Sequence, residues 1–319
     1  MFEQSKVTTE DQARYAGLIK SGNIEQALDE FISKYINPFV DEYSGKLAEF
    51  MQFVKDQEKS DTAAIIGIAA ATIGISTLLK NNFALITTLY TKYLTKDIKS
   101  DEVKQRILDT ALNRFNEQID GTMNRTSQNV INAIRELQTA FITEEARLRA
   151  SGLKGQDVQK GIESFKSQLK NKFPNIEEMI KNKSFLKSTA DINGVSRNYR
   201  LEPYIEQSIR TSILDVDRIS SEVNATIDGD LVMEYYKKDN RTVKTKERQI
   251  CKSILAHKEF GLSLLALTEE VANLLGIMTV NQARNTSDYA MSYNCRHAVR
   301  RVSKSINDKI RGMLESQAA

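Results

Sequence analysis

The chain carries two cysteines and two histidines in 319 residues. All four fall between positions 251 and 297, as Cys251, His257, Cys295 and His297. Two thiolates and two imidazoles are the donor set of a closed tetrahedral zinc site, with ligand distances of about 2.0–2.3 Å. The same residues admit two other readings. The thiols could lie apposed and oxidise to a disulfide, or the cysteines could pack as small hydrophobes while the histidines make hydrogen bonds. On a helix, six steps of about 100° leave Cys251 and His257 on different faces, so a helix there must end before His257 if both are ligands. Cys295 and His297, two apart on a strand, face the same side, and Arg296 points away. The spacing C-x5-H then C-x-H matches no zinc ribbon. Nor do alternate strand positions readily give the hydrogen bond that a thiol nucleophile and its base require.

A second candidate is basic. Arg296, Arg300, Arg301, Lys304, Lys309 and Arg311 crowd into "RHAVRR" and "SKSINDKIR", with Tyr293 nearby. Such a set could track phosphates without reading bases, or it could be a solvated face. The net charge of +3 is unevenly spread. Residues 1–60 hold 7 Lys/Arg against 11 Asp/Glu, and residues 236–319 hold 15 against 8. The basic end suits a phosphate-rich neighbour. There is no glycine-rich phosphate loop, no Gly-x-Ser-x-Gly and no His-Glu-x-x-His, so the expectation is a protein that is not an enzyme.

The elements that must position these residues are mostly helical. Trp is absent, proline occurs only at 38, 174 and 203, and 27% of residues are charged, which favours long helices over a β-sandwich. The length suits two domains rather than one. The start reads as a helical hairpin broken at Ser21-Gly22-Asn23, with a boundary at Pro38. From Thr62 to Leu79 the chain has no charge, between Asp61 and Lys80, and "NNFALITTLYTKYL" continues the apolar character. The eighteen uncharged residues 62–79, within the apolar segment 62–94, are at the lower limit of a membrane span, and Gly67, Ala70, Ala71 and Gly74 would let helices approach closely. The alternative is a buried helix in a bundle or between subunits, which the short run, its Ala and Thr content and the lack of aromatic anchors on its amino side favour. Apolar residues at intervals of three and four continue the helical pattern from Ser100 to Phe173, with stops expected at Gly121 and Gly152.

After a polar stretch the character changes. A helix opened by Pro203 leads to two short strands, "LVMEYYKKD" and "RTVKT". Helices are expected through "ERQICKSILAHKEF" and "LSLLALTEEVANLLG", then a strand at "AVRRVS" and a last helix through "INDKIRGMLESQ". The fold class is therefore mainly α. A long-helix amino-terminal domain, 1–180, is joined by a linker, 181–198, to a small α+β domain, 199–319.

The carboxy-terminal order resembles a known family. A helix with the pair Arg210-Thr211, a strand leading to Arg248 and Cys251, the step "AHKEF", and a closing Cys295-Arg296-His297 look like the last domain of phage head-morphogenesis proteins, the Mu F-like minor head proteins. The resemblance covers about residues 199–302. His257 stands where that family more often has glycine, and Ser292-Tyr293 replaces a frequent His-Pro. The resemblance implies a low-copy structural protein of a tailed-phage head, associated with the portal or head interior and acting in assembly, DNA packaging or delivery. Its implied partners are portal or other head proteins and packaged DNA, in an oligomeric particle. Two alternatives compete: a membrane-active internal virion protein using 62–94 during ejection, and a nucleic-acid-binding module with a basic carboxy-terminal face. Two cysteines and an opening "MFEQSKVTTEDQ" without an apolar core point to synthesis in a reducing host cytoplasm before incorporation into a virion.

Overall fold

The computed structural model describes residues 7–57, 61–96, 98–182, 186–190, 196–237, 254–285 and 297–318. It is mainly α with a small antiparallel sheet near the carboxy terminus, as composition and periodicity predict. Seven helices come first: α1 (Thr9–Lys20), α2 (Ile24–Tyr35), α3 (Asn37–Gln57), α4 (Asp61–Leu94), α5 (Asp101–Ala150), α6 (Gln156–Lys172) and α7 (Pro174–Asn182). A hairpin of β1 (Leu186–Ala190) and β2 (Ser196–Arg200) falls within and just after the stretch read as a linker. The chain continues through α8 (Leu201–Ile227), β3 (Val232–Lys237), β4 (Leu264–Ala266), α9 (Glu269–Leu275), α10 (Val280–Asn285), β5 (His297–Arg301) and α11 (Lys304–Ala318).

Local chemistry sets most boundaries. Gly22 at φ 81° and Gly152 at φ 87° follow α1 and α5 in the left-handed region that glycine enters without a Cβ clash. Pro38 sits in the first turn of α3, where its missing N–H costs nothing. Gly121 does not stop its helix, contrary to expectation: α5 runs through it for 50 residues. One interior glycine costs about 1 kcal/mol. Burial of Phe115 and Ile119 before it, and Met123 and Val130 after it, outweighs that.

Two compact units form, each from three stretches of chain. The first comprises Met1–Asp11, Glu25–Asn82 and Asn116–Glu206. Phe31, Leu47, Met51, Ile68, Leu79, Ile134 and Phe141 are among its buried residues, and Phe165 meets Phe141 edge-on at 5.7 Å. Polar contacts hold the middle of α4: Tyr43 Oη and Thr72 Oγ1 lie 2.9 Å apart, and Ser76 Oγ donates to Asp120 at 2.8 Å. Near the amino terminus, Asp11 accepts from Thr8 Oγ1 and Lys34 Nζ, each at 2.8 Å, and from Tyr35 Oη.

The second unit comprises Gln12–Ile24, Phe83–Phe115 and Gln207–Ala319. Here Ile98, Ile107 and Ala111 bury against Val216 of α8, and Phe83 stacks on Phe115 at 3.7 Å. The sheet has the order β4-β3-β5, all antiparallel, with Glu234 opposite Arg300 and Tyr235 opposite Val299. One face, with Met233, Tyr235, Leu265 and Val299, packs on Ala225, Ile254, Val280 and Ala283. The other, with Val232, Leu264 and Ala266, packs on Val271, Leu275 and Ile310.

Burial on both faces corrects one expectation. "LSLLALTEEVANLLG" is not one helix: Leu264–Ala266 form a strand, and Thr268 caps a separate helix, its hydroxyl accepting from Val271 N. A short run buried on both sides loses its alternation and reads the same as a helix core. The helix expected through "ERQICKSILAHKEF" is also absent over residues 254–260, where Ala256 bridges to Ser263 and Gly261 turns at φ 67°. The rest of that segment, residues 247–253, and the strand expected at "RTVKT" lie outside the described residues.

Candidate functional site

The basic carboxy-terminal set is drawn together by β5 and α11, and its cations face carboxylates. Arg300 Nε and Nη2 donate to the two oxygens of Glu234 at 2.7 and 2.9 Å, and its guanidinium lies 4.7 Å above the Tyr236 ring. Arg301 Nε donates to Asp230 at 2.6 Å, and its Nη1 pairs with Asp228. Asn307 joins the same turn: its amide donates to Asp230 at 3.0 Å and its carbonyl accepts from Leu231 N at 2.7 Å. Arg311 reaches Asp308 at 3.2 Å and the carbonyl of Gly229 at 3.1 Å. Lys309 pairs with Glu259 at 2.7 Å, over the ring of Phe260. Among the described residues, no carboxylate pairs with Lys304.

These bonds hold the protons of Arg300 and Arg301 more firmly than usual, first through the hydrogen bonds to Glu234 and Asp230. The arrangement is a clasp between the turn after α8, the β3–β5 ladder and α11. A phosphate arriving here would have to displace a carboxylate already matched to each arginine.

The Cys/His set divides differently. Cys251 and Cys295 lie outside the described residues, as do Arg248 and Arg296. His297 opens β5 opposite Lys237. His257 sits in the turn before β4, where its Nδ1 accepts from Glu259 N at 3.3 Å and its ring lies 5.1 Å from Phe260. An accepting Nδ1 places the proton of a neutral imidazole on Nε2, the reverse of what an Nε2 metal ligand needs.

The strand order separates the two histidines as well. Ala256 pairs with Ser263, Ser263 O accepts from Tyr235 N at 2.7 Å, and Tyr235 pairs with Val299. The backbone at His257 is thus three strand spacings from β5, on the order of 14 Å. Strand order therefore does not set the backbones of residues 257 and 297 side by side. Among the described residues, no three His, Cys, Asp or Glu side chains gather as a metal group.

Of the motif pair on α8, Thr211 is buried and its Oγ1 accepts from Gln207 Nε2 at 3.3 Å. One turn further lies a group that sequence reasoning missed. Asp215 accepts from Arg218 Nη1 at 3.0 Å and pairs with Arg114 of α5, and the Arg218 side chain is 1% exposed. The i,i+3 spacing of Asp215 and Arg218, on the helix face that also carries the buried Ile205, Ile209 and Ser212, was the available signal. Carboxylates Asp228, Asp230 and Glu234 were also missed, because attention to the cations passed over their partners.

No family model matches the chain, and no curated protein or solved structure matches it either.

Proposed function

We propose that the chain is a structural minor head protein of a tailed phage, of the Mu F-like kind, without enzymatic activity. It acts at the portal or inside the head, in assembly, packaging or delivery, with portal or other head proteins as partners. One observation carries the reading. Of the stretch that resembles the family, the described parts from Gln207 onward, which are most of helix α8, strand β3, the turn at His257–Gly261, helix α9 and closing strand β5, belong to one unit, while Arg248, Cys251, Cys295 and Arg296 lie outside the described residues. Among the described residues, their charged side chains clasp chain segments to one another, as in a scaffold. Packaged DNA is the lesser partner on this reading, since Arg300, Arg301 and Arg311 are already matched to carboxylates.

The test is composition of the particle. Particles purified on a density gradient from cells producing the chain's own phage should contain it at few copies each, and it should remain after nuclease treatment. A chain found only in the unassembled cytosolic fraction overturns the proposal.

A further inference from the structure

The sheet ends differently on its two sides. Beyond β4, short bridges close the edge: Ala256 pairs with Ser263, His257 N donates to Leu262 O at 2.7 Å, and Ala266 N donates to Met278 O at 2.9 Å. Beyond β5 the ladder stops, and among the described residues β5 pairs with β3 alone. Hydrogen-bond direction shows which of its backbone groups face outward. Tyr235 N donates to Ser263 O, and Leu231 O accepts from Leu267 N, so the odd-numbered residues of β3 turn toward β4. Direction alternates along a strand, so Glu234 and Tyr236 turn toward β5 and bond with Arg300 and Ala298 opposite them. The N–H and C=O groups of His297, Val299 and Arg301 therefore point away from the sheet. Such a row of donors and acceptors is the template for one more strand.

We infer that β5 joins β5 of a second copy of the chain, antiparallel about a two-fold axis through Val299, so that one sheet runs through both copies. Charge selects this occupant. Edge strands are commonly kept single by bare charges, but here both cations of the edge are already matched, Arg300 to Glu234 and Arg301 to Asp228 and Asp230. An acidic strand from another protein would have to compete with those carboxylates, whereas a second β5 asks nothing of them. Register agrees. The three outward residues are evenly spaced about Val299, so the axis pairs the backbone of Val299 with its own copy and that of residue 297 with Arg301. On one face the row across the axis then reads Tyr235, Val299, Val299, Tyr235, which continues an apolar cluster to which both residues already belong. On the other face Arg300 stands across from Ala298 and not from its own copy, so the two guanidiniums are offset diagonally and each stays with its own Glu234.

The test uses the full chain in sedimentation equilibrium over a wide concentration range, with amide hydrogen exchange read at both ends of it. The wild type should pass from monomer to dimer as concentration rises, and exchange at Val299 and Arg301 should slow in step. Val299→Pro removes an outward N–H and none of the bonds between β3 and β5. It should weaken association by at least about tenfold, since each dimer loses that bond twice, while the amides of β3 stay protected. Glu234→Gln leaves the backbone alone and bares Arg300 in both copies, so it should weaken association at low salt, and added salt should restore it. A wild type that stays monomeric with both outward amides in free exchange overturns the inference. A monomer in which they are protected also overturns it and assigns the edge to another segment of the chain. A dimer indifferent to both variants overturns it by placing the contact on another face.

Discussion

Arg300 and Glu234 stand directly opposite one another on β5 and β3, joined by two hydrogen bonds at 2.7 and 2.9 Å. The pairing fixes register, because a one-residue slip would put Arg300 on the other face of the sheet. It also makes the proposal of packaged DNA as a partner testable. Glu234→Gln should release one guanidinium for phosphate, raising affinity for double-stranded DNA at low salt. The log–log salt slope should steepen by about one unit. Filter binding across a salt series reads both; an unchanged slope would show that Arg300 is not held back by its partner.

A buried carboxylate shared by two arginines makes the strongest single stability prediction. Asp215 serves Arg114 and the fully buried Arg218. Asp215→Ala removes the carboxylate that accepts from both arginines and should cost about 1.5–3 kcal/mol in denaturant unfolding, the usual range for a charge-assisted hydrogen bond. Replacing Asp215 and Arg218 together by Leu and Met should cost less than Asp215→Ala alone, which a double-mutant cycle would reveal.

Acid should release the amino-terminal contact in a defined window. The hydrogen bonds from Lys34, Tyr35 and Thr8 hold Asp11 at about 2, below its ordinary 3.8. A depressed carboxyl pKa contributes stability that is fully present above the ordinary value and is lost as pH falls through the folded one. Melting temperature should therefore drop between about pH 4 and pH 2 in the wild type, and Asp11→Asn should flatten that part of the curve. Equal slopes in the two proteins would assign the acid sensitivity elsewhere.

Metal removal should do little. With His257 Nδ1 accepting a backbone proton and β5 three strand spacings away, a strong chelator should leave the melting temperature where it was, and elemental analysis should find no stoichiometric zinc. A drop of several degrees on chelation would return the four Cys/His residues to one ion.

Helix α9 offers a smaller check. Thr268 Oγ1 accepts from Val271 N, and Gly276 closes the helix at φ 63°. Thr268→Ala should destabilise by about 1 kcal/mol, while Thr268→Ser should retain most of the cap.

Periodicity made the long helices legible. Of the α5 residues at intervals of three and four, Ile107, Ala111, Phe115, Ile119, Val130, Ile134, Leu137 and Phe141 are buried, while Val103 and Ile131 are half-buried. Gly121 misled because a propensity of about 1 kcal/mol was set against packing that outweighs it. Strand β4 was hidden for another reason: Leu264, Leu265 and Ala266 are buried on both faces of the sheet, so neither a period of two nor of 3.6 survives in three residues. At the site, the cations were visible as a cluster. Their neutralisation was not, because Asp228, Asp230 and Glu234 precede Arg300 and Arg301 by about seventy residues, and only the sheet brings them together.

The packing of Val216 on Ile98, Ile107 and Ala111 bears on how the chain can be made. The carboxy-terminal end receives the inner side of α8 and its Asp215 only after α4 and α5 have already been synthesised, so this part of the fold closes backwards onto earlier sequence. A fragment starting near residue 199 would display Val216, Ile219 and Val223 to water and take Arg114 away from Asp215, and should collect in inclusion bodies. Supplying residues 83–115 in trans should restore its solubility, because what that fragment lacks is the other half of one hydrophobic seat.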